Sequence, residues 1–171
     1  FQNIELFKNM SVLDNILLGR HRKRRANLLK EIFYTRAVKE QEMRSHLRAE
    51  EIIDFLELQQ YRDQVIANLP YGAQKTVEIG RALAMEPEIL LLDEPSSNLD
   101  REGEMELMET LNELAENHTI MVISHAPGVL SQCRQVLVMQ KGRIVRSGRP
   151  LDVLPHLLGT NTAPPIYQRQ A

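Results

Sequence analysis

A single cysteine, Cys133, stands among the 171 residues. One thiol builds no disulfide framework, and a cysteine-based zinc site needs more than one. Long apolar runs are missing too. Nothing approaches the ~18 consecutive apolar residues that a membrane-spanning helix needs. The opening FQNIELFKNM lacks the basic-then-apolar layout of a signal peptide. No excess of one charge is present: 21 Lys and Arg stand against 23 Asp and Glu, a net −2. That balance argues against a dedicated nucleic-acid binder. Finally, none of the eight glycines is followed by lysine, so a GxxxxGK[ST] loop does not occur. The expectation is a soluble protein of a reducing compartment, still able to dock onto a membrane protein. A first residue that is Phe rather than Met carries the further expectation of a trimmed, processed or fragmentary N-terminus.

The chain that remains falls into segments. Residues 1–10 read as a short extended piece and a loop. Ser11 to Leu18 can begin a helix, with Ser11 as N-cap and Asp14 three residues on. The basic run HRKRR, 21–25, is either a solvated face or a contact for lipid headgroups or a partner subunit. From Gln41 to Leu58 the pattern is helical, and Ala49, Ile52, Ile53 and Leu56 make one apolar stripe. Turn chemistry around Pro70 and Gly72 then opens a helix whose Val77, Gly80 and Ala84 share a face, ending at Pro87. Ile89–Leu92 is purely aliphatic, as expected of a parallel strand covered on both faces. A helix over Glu102–Asn117, a strand TIMVIS over 119–124, a short helix over Gly128–Cys133 and two strands turning at Lys141-Gly142 complete the order. Alternation of strand and helix predicts an α/β sheet. The tail from Thr160 is polar and proline-containing.

The stretch ILLLDEPSSNLD, 89–100, ends an aliphatic strand in two acids, Asp93 and Glu94. Ligands of open α/β sheets sit outside the carboxyl ends of the strands. An acid there can hold Mg²⁺ directly or through water, and its neighbour can orient or deprotonate a water. Alternation along a strand would point the two side chains to opposite sides. The plainer alternative is a strand end whose acids cap the next helix or face solvent. His125 ends the next strand, in VISHAP, and could hold a phosphate oxygen or a water if the strands are neighbours. Gln2 offers an amide near the start. LPYGAQK, 69–75, is a glycine-containing turn before a helix, whose free N–H groups favour an anion; an ordinary capped turn would look similar.

FQN, then L-x-x-G-x-Q opening a helix, then ILLLDEP with SNLD, then a strand ending in SH, resembles the nucleotide-binding subunit of an ATP-binding-cassette (ABC) transporter over residues 1–149. FQNIELFKNMSVLDNILLG, the charged helical insert and the form LPYGAQ are similar to the ATPase subunits of branched-chain amino-acid importers. The resemblance implies an α/β fold, the C-terminal two-thirds of a P-loop ABC ATPase domain, with a mostly parallel sheet and a helical signature subdomain. It implies a Q-loop segment over 1–10, a helical subdomain over 11–68, signature helix and ATPase core over 69–149, and a C-terminal helix and polar tail over 150–171.

ATP and Mg²⁺ are the implied cofactors. Gln2 would be the Q-loop glutamine, touching metal and attacking water. Leu69, Pro70, Tyr71, Gly72, Ala73 and Gln74 would bind the γ-phosphate held by an opposite subunit. Asp93 would organise Mg²⁺, Glu94 would be the general base, Asp100 would close the D-loop across a dimer interface, and His125 would contact the γ-phosphate. Implied partners are a second ATPase subunit placed head to tail, permease subunits docking near residues 3–19 and, indirectly, a solute-binding protein, with no nucleic acid. The implied place is the cytoplasmic face of the cell membrane. Departures exist: Pro70 and Tyr71 stand where the usual signature has serine and glycine, and Ala126 and Pro127 follow His125 unusually. With no P-loop present, this chain alone is expected to bind ATP poorly. The alternatives are a non-catalytic remnant acting as a binding module, and a non-transport ABC protein acting on ribosomes or DNA.

Overall fold

A computed structural model describes residues 6–21 and 36–157. Gln2, residues 3–5 of the expected docking segment, the basic run from Arg22 onward and the polar tail lie outside the described residues. The chain divides into two compact units at Ile123/Ser124.

In the first unit, α1 (Val12–His21) begins where Ser11 predicts. The Ser11 hydroxyl accepts the Asp14 N–H at 3.1 Å and donates to the Asp14 carboxylate at 2.7 Å, a serine cap without the full reciprocal box. Helix α2 spans Arg36–Phe55, starting earlier and ending sooner than the expected Gln41–Leu58, and the stripe read from its spacing is buried: Ala49, Ile52 and Ile53 within it and Leu56 just past its end are all nearly inaccessible. Short 3-10 turns at Gln59–Tyr61 and Ile66–Asn68 lead to α3 (Tyr71–Leu83). Both α1 and α2 pack on α3, so the helical segment and the helix after LPYGAQ share one core. Gly80 of α3 faces α2, and a Cβ there would meet Leu56 Cδ1 at 2.9 Å. The end of α3 is held by Arg20, whose Nη1 donates to Ala84 O at 3.2 Å and to Glu86 Oε1 at 2.5 Å.

Strand β1 (Ile89–Asp93) pairs in parallel with β2 (Thr119–Ile123), and α4 (Arg101–Leu114) connects them. Such a crossover is what parallel pairing demands. The expected cover on both faces is not met. Leu90 is buried, but Ile89 is 61% exposed, and Leu91, Met121 and Ile123 are exposed as well. The sheet has two strands among the described residues, and these exposed side chains alternate along them on one face.

In the second unit, α5 (Pro127–Gln132) places Pro127 at its first turn, where a missing N–H costs nothing. Strands β3 (Val136–Gln140) and β4 (Arg143–Gly148) form the expected hairpin. Lys141 and Gly142 both have positive φ, 49° and 75°, the pattern of a two-residue turn matched to strand twist. Helix α6 (Pro150–Leu157) packs on α5 and β4. No helix of the described residues is long and apolar enough to cross a membrane.

Candidate functional site

Asp93 is the last paired residue of β1, opposite Ile123. The ladder runs one step further, because the Glu94 N–H donates to Ile123 O at 2.8 Å. Glu94 itself has left strand geometry, with φ +45°. The alternation expected to turn Asp93 and Glu94 to opposite sides therefore does not apply; a left-handed turn redirects Glu94 instead. For a non-glycine residue that conformation costs about 1–3 kcal/mol and persists only where surroundings enforce it. Here the enforcing contacts are the 2.8 Å bond to Ile123 and the bond from the Ser97 N–H to Glu94 O at 3.1 Å. Pro95 and Ser96, the next residues of the turn, are buried, and Asn98, a residue that tolerates left-handed geometry, adopts it too at φ +63°. Asp93 and Glu94 remain half-buried.

The segment then closes on Asp100, which caps α4. Its Oδ1 accepts the Gly103 N–H at 2.9 Å, and its carbonyl accepts the Glu104 N–H at 2.9 Å. A capping role for an acid at this strand-to-helix connection is thus observed at Asp100.

The head of α3 is built differently. Pro70 occupies the N-cap position, and no side chain caps the helix. Gln74 Nε2 donates to Leu69 O at 2.9 Å and the Gln74 N–H to Pro70 O at 3.1 Å, tying the turn from behind. Leu69 is buried, Gly72 and Ala73 are half-buried, and Tyr71 is 43% exposed. Lys75 Nζ lies 5.6 Å from the Tyr71 ring centroid and 3.1 Å from Glu78 Oε2. This head favours an anion through its N–H groups and dipole.

Leu99 joins the two helix heads. Its Cδ2 lies 4.0 Å from where Gly72 would carry a Cβ and 3.6 Å from the same point on Gly103. The turn after the acids and the LPYGAQ turn are therefore brought together. His125 belongs to the second unit and is exposed; beside it the Ala126 N–H donates to Ser124 Oγ at 3.1 Å.

Among the described residues no three His, Cys, Asp or Glu side chains group as a metal cage. The donor set fits Mg²⁺, which keeps waters and takes one or two carboxylates plus phosphate oxygens. The perturbed groups lie away from the acids: burial pushes the Cys133 thiol up and lowers the Arg81 guanidinium, which sits 6.0 Å from the Phe7 ring centroid, and the Glu50–Arg62 pair lowers one partner and raises the other. One residue went unnoticed in the sequence. Asn15 is fully buried, and its signal was there to read, as the one amide in the stripe Val12, Asn15, Ile16, Gly19.

The family model described as ABC transporter matches residues 1–97, more than half of the chain. The chain belongs to the ABC transporter family. The branched-chain amino-acid transport ATP-binding protein LivG of Salmonella typhimurium is 30% identical over 156 residues, covering 90% of this chain and 61% of that protein. The sulfate/thiosulfate import ATP-binding protein CysA of Bradyrhizobium diazoefficiens is 35% identical, over 90% of this chain and 42% of that one. A crystal structure of an ABC-transporter ATP-binding cassette in its ADP conformation superposes with a TM-score of 0.71 at 31% identity, covering 89% of this chain and 62% of that chain. The fold is accordingly that of part of an ABC ATPase cassette, a parallel sheet with helices. The chain spans about three-fifths of the length of LivG.

Proposed function

We propose that the intact protein is the ATP-hydrolysing subunit of an ABC importer and works at the cytoplasmic face of the membrane. The observation that carries this reading is Glu94: a carboxylate held in a left-handed turn at the carboxyl end of a parallel strand, directly after Asp93. ATP with Mg²⁺ would supply a phosphoryl group whose transfer depends on positioning and charge stabilisation. Asp93 would hold the metal through water. Glu94 would accept the proton of the attacking water at its carboxylate. The uncapped head of α3, with Gly72 and Ala73, would hold phosphate oxygens through backbone N–H groups, since Pro70 offers no hydroxyl. By the same family reading Gln2 would act as a metal-and-water sensor and His125 as a phosphate contact.

The remaining parts follow the same reading. A second ATPase subunit, head to tail, would supply the ATP that the LPYGAQ turn meets, with Asp100 at the shared interface. Permease subunits would dock near residues 3–19, and a solute-binding protein would deliver cargo to them. Likeness to LivG over nine-tenths of the chain supports branched-chain amino acids as the solute; likeness to CysA names sulfate as the competitor to test.

Glu94→Gln in the intact protein tests the reading. Turnover should fall about 10²-fold or more while ATP affinity stays within about threefold. Undiminished hydrolysis would remove Glu94 from the mechanism.

A further inference from the structure

Asn15 is a buried amide with no solvent exposure, on the core face of α1. A buried amide is costly unless its donors and acceptor are matched. Here they are. Oδ1 accepts the Phe7 N–H at 2.9 Å, and Nδ2 donates to Ser11 O at 2.9 Å and Phe7 O at 3.1 Å, with Met10 O at 3.5 Å. One side chain thus gathers the backbone of the whole loop Phe7–Ser11.

The rest of that loop's backbone is used elsewhere. The Ile66 N–H donates to Met10 O and the Ala67 N–H to Lys8 O, each at 3.1 Å. At the start of α1, the Val12 N–H donates to Gln64 O and the Leu13 N–H to Arg62 O, also at 3.1 Å. Ser11 and Val65 make an isolated antiparallel bridge at the same place. Segment 62–67 therefore hangs on the loop that Asn15 shapes, and two residues later it enters the turn Leu69–Gln74. An apolar residue at 15 would serve the core without organising any of this. The amide is needed only if the loop's position matters.

We propose that Asn15 is a positioning residue. It fixes the loop Phe7–Ser11 and through it sets where the segment that enters the LPYGAQ turn stands. Its kinetic consequence rests on the ATPase reading above; its structural consequence does not.

The test uses the full-length protein with Asn15→Asp and Asn15→Ser. The aspartate can accept from Phe7 but cannot donate to the carbonyls. A serine hydroxyl can still reach the carbonyl four residues back, Ser11 O, but is too short for Phe7. If the buried aspartate prevents folding, the serine variant decides. Hydrogen exchange at the Ile66 and Ala67 amides should lose about tenfold or more of its protection. In the same variant kcat for ATP should fall about tenfold or more with KM for ATP within about twofold, because Asn15 meets no nucleotide. Unchanged protection at Ile66 and Ala67 overturns the proposal whatever the turnover. Lost protection with unchanged kcat overturns it as well, since the clamp would then not act on the site. A wild-type protein with no turnover sinks the ATPase reading instead, and the exchange result by itself then rules on the clamp.

Discussion

Gly19 is pressed against the backbone of Arg81: a Cβ on Gly19 would stand 2.4 Å from the Arg81 carbonyl oxygen and 2.9 Å from Ala84 Cβ. This contact lets α1 lie directly on α3. At Gly80 the obstacle is different, the tips of Leu56 at 2.9 Å and Ile16 at 3.3 Å. Side-chain tips can turn aside, whereas a helix carbonyl cannot. Gly19→Ala should cost about 2–3 kcal/mol by overpacking. Gly80→Ala should come close to neutral, because relief of helical glycine returns about 1 kcal/mol. Urea midpoints of the two variants check the order; equal losses would mean α1 and α3 can separate freely.

The left-handed Glu94 predicts an opposition between stability and activity. Glu94→Gly removes the Cβ that makes φ +45° costly, so it should be more stable than Glu94→Ala by about 1 kcal/mol. Both should lose turnover if the carboxylate is the base. Thermal melts showing Glu94→Ala as the more stable of the pair would contradict the strain.

Asp100 has an observed job and a proposed one, and two substitutions separate them. Asp100→Asn keeps an oxygen for the Gly103 N–H and should hold stability within about 0.5 kcal/mol, while Asp100→Ala should lose about 1 kcal/mol. If Asp100 also serves a dimer interface through its charge, the stable Asp100→Asn variant should still hydrolyse ATP more slowly. Full activity in that variant would leave the helix cap as its sole function.

Arg62 Nε donates to both carboxylate oxygens of Glu50, at 3.0 and 3.1 Å, and this hydrogen bonding holds the Glu50 carboxyl below its ordinary value. A depressed folded value means the unfolded chain takes up the proton first as pH falls. The pair's contribution is complete above about pH 4.3, the unfolded carboxylate value, and is lost as pH falls through the folded one. More than a third of each side chain is exposed, 36% and 37%, so the effect is small. Glu50→Gln should lower the urea midpoint slightly at pH 7 and leave it unchanged below the folded value. A difference that persists in acid would assign the loss to packing rather than charge.

Much of this protein was decided within short windows of its sequence. Spacing alone selected Ala49, Ile52 and Ile53 of α2 and Leu56 just past its end as one buried stripe, and the Ser11 hydroxyl needed only Asp14, three residues away, to start α1. The Lys141-Gly142 turn was equally local, because helix stripes, caps and two-residue turns depend on neighbours along the chain. So were the residue types of the candidate site: the acids after an aliphatic strand and the glycine turn before a helix. Tertiary structure decided what those residues do. It bent Glu94 out of the strand through Ile123, set Leu99 between Gly72 and Gly103, and gave Asn15 a loop to hold. It also left Ile89 and Leu91 exposed where an aliphatic run had promised burial. Each of these depends on partners brought together by chain folding, and a periodic pattern carries no record of which distant backbone comes to meet it.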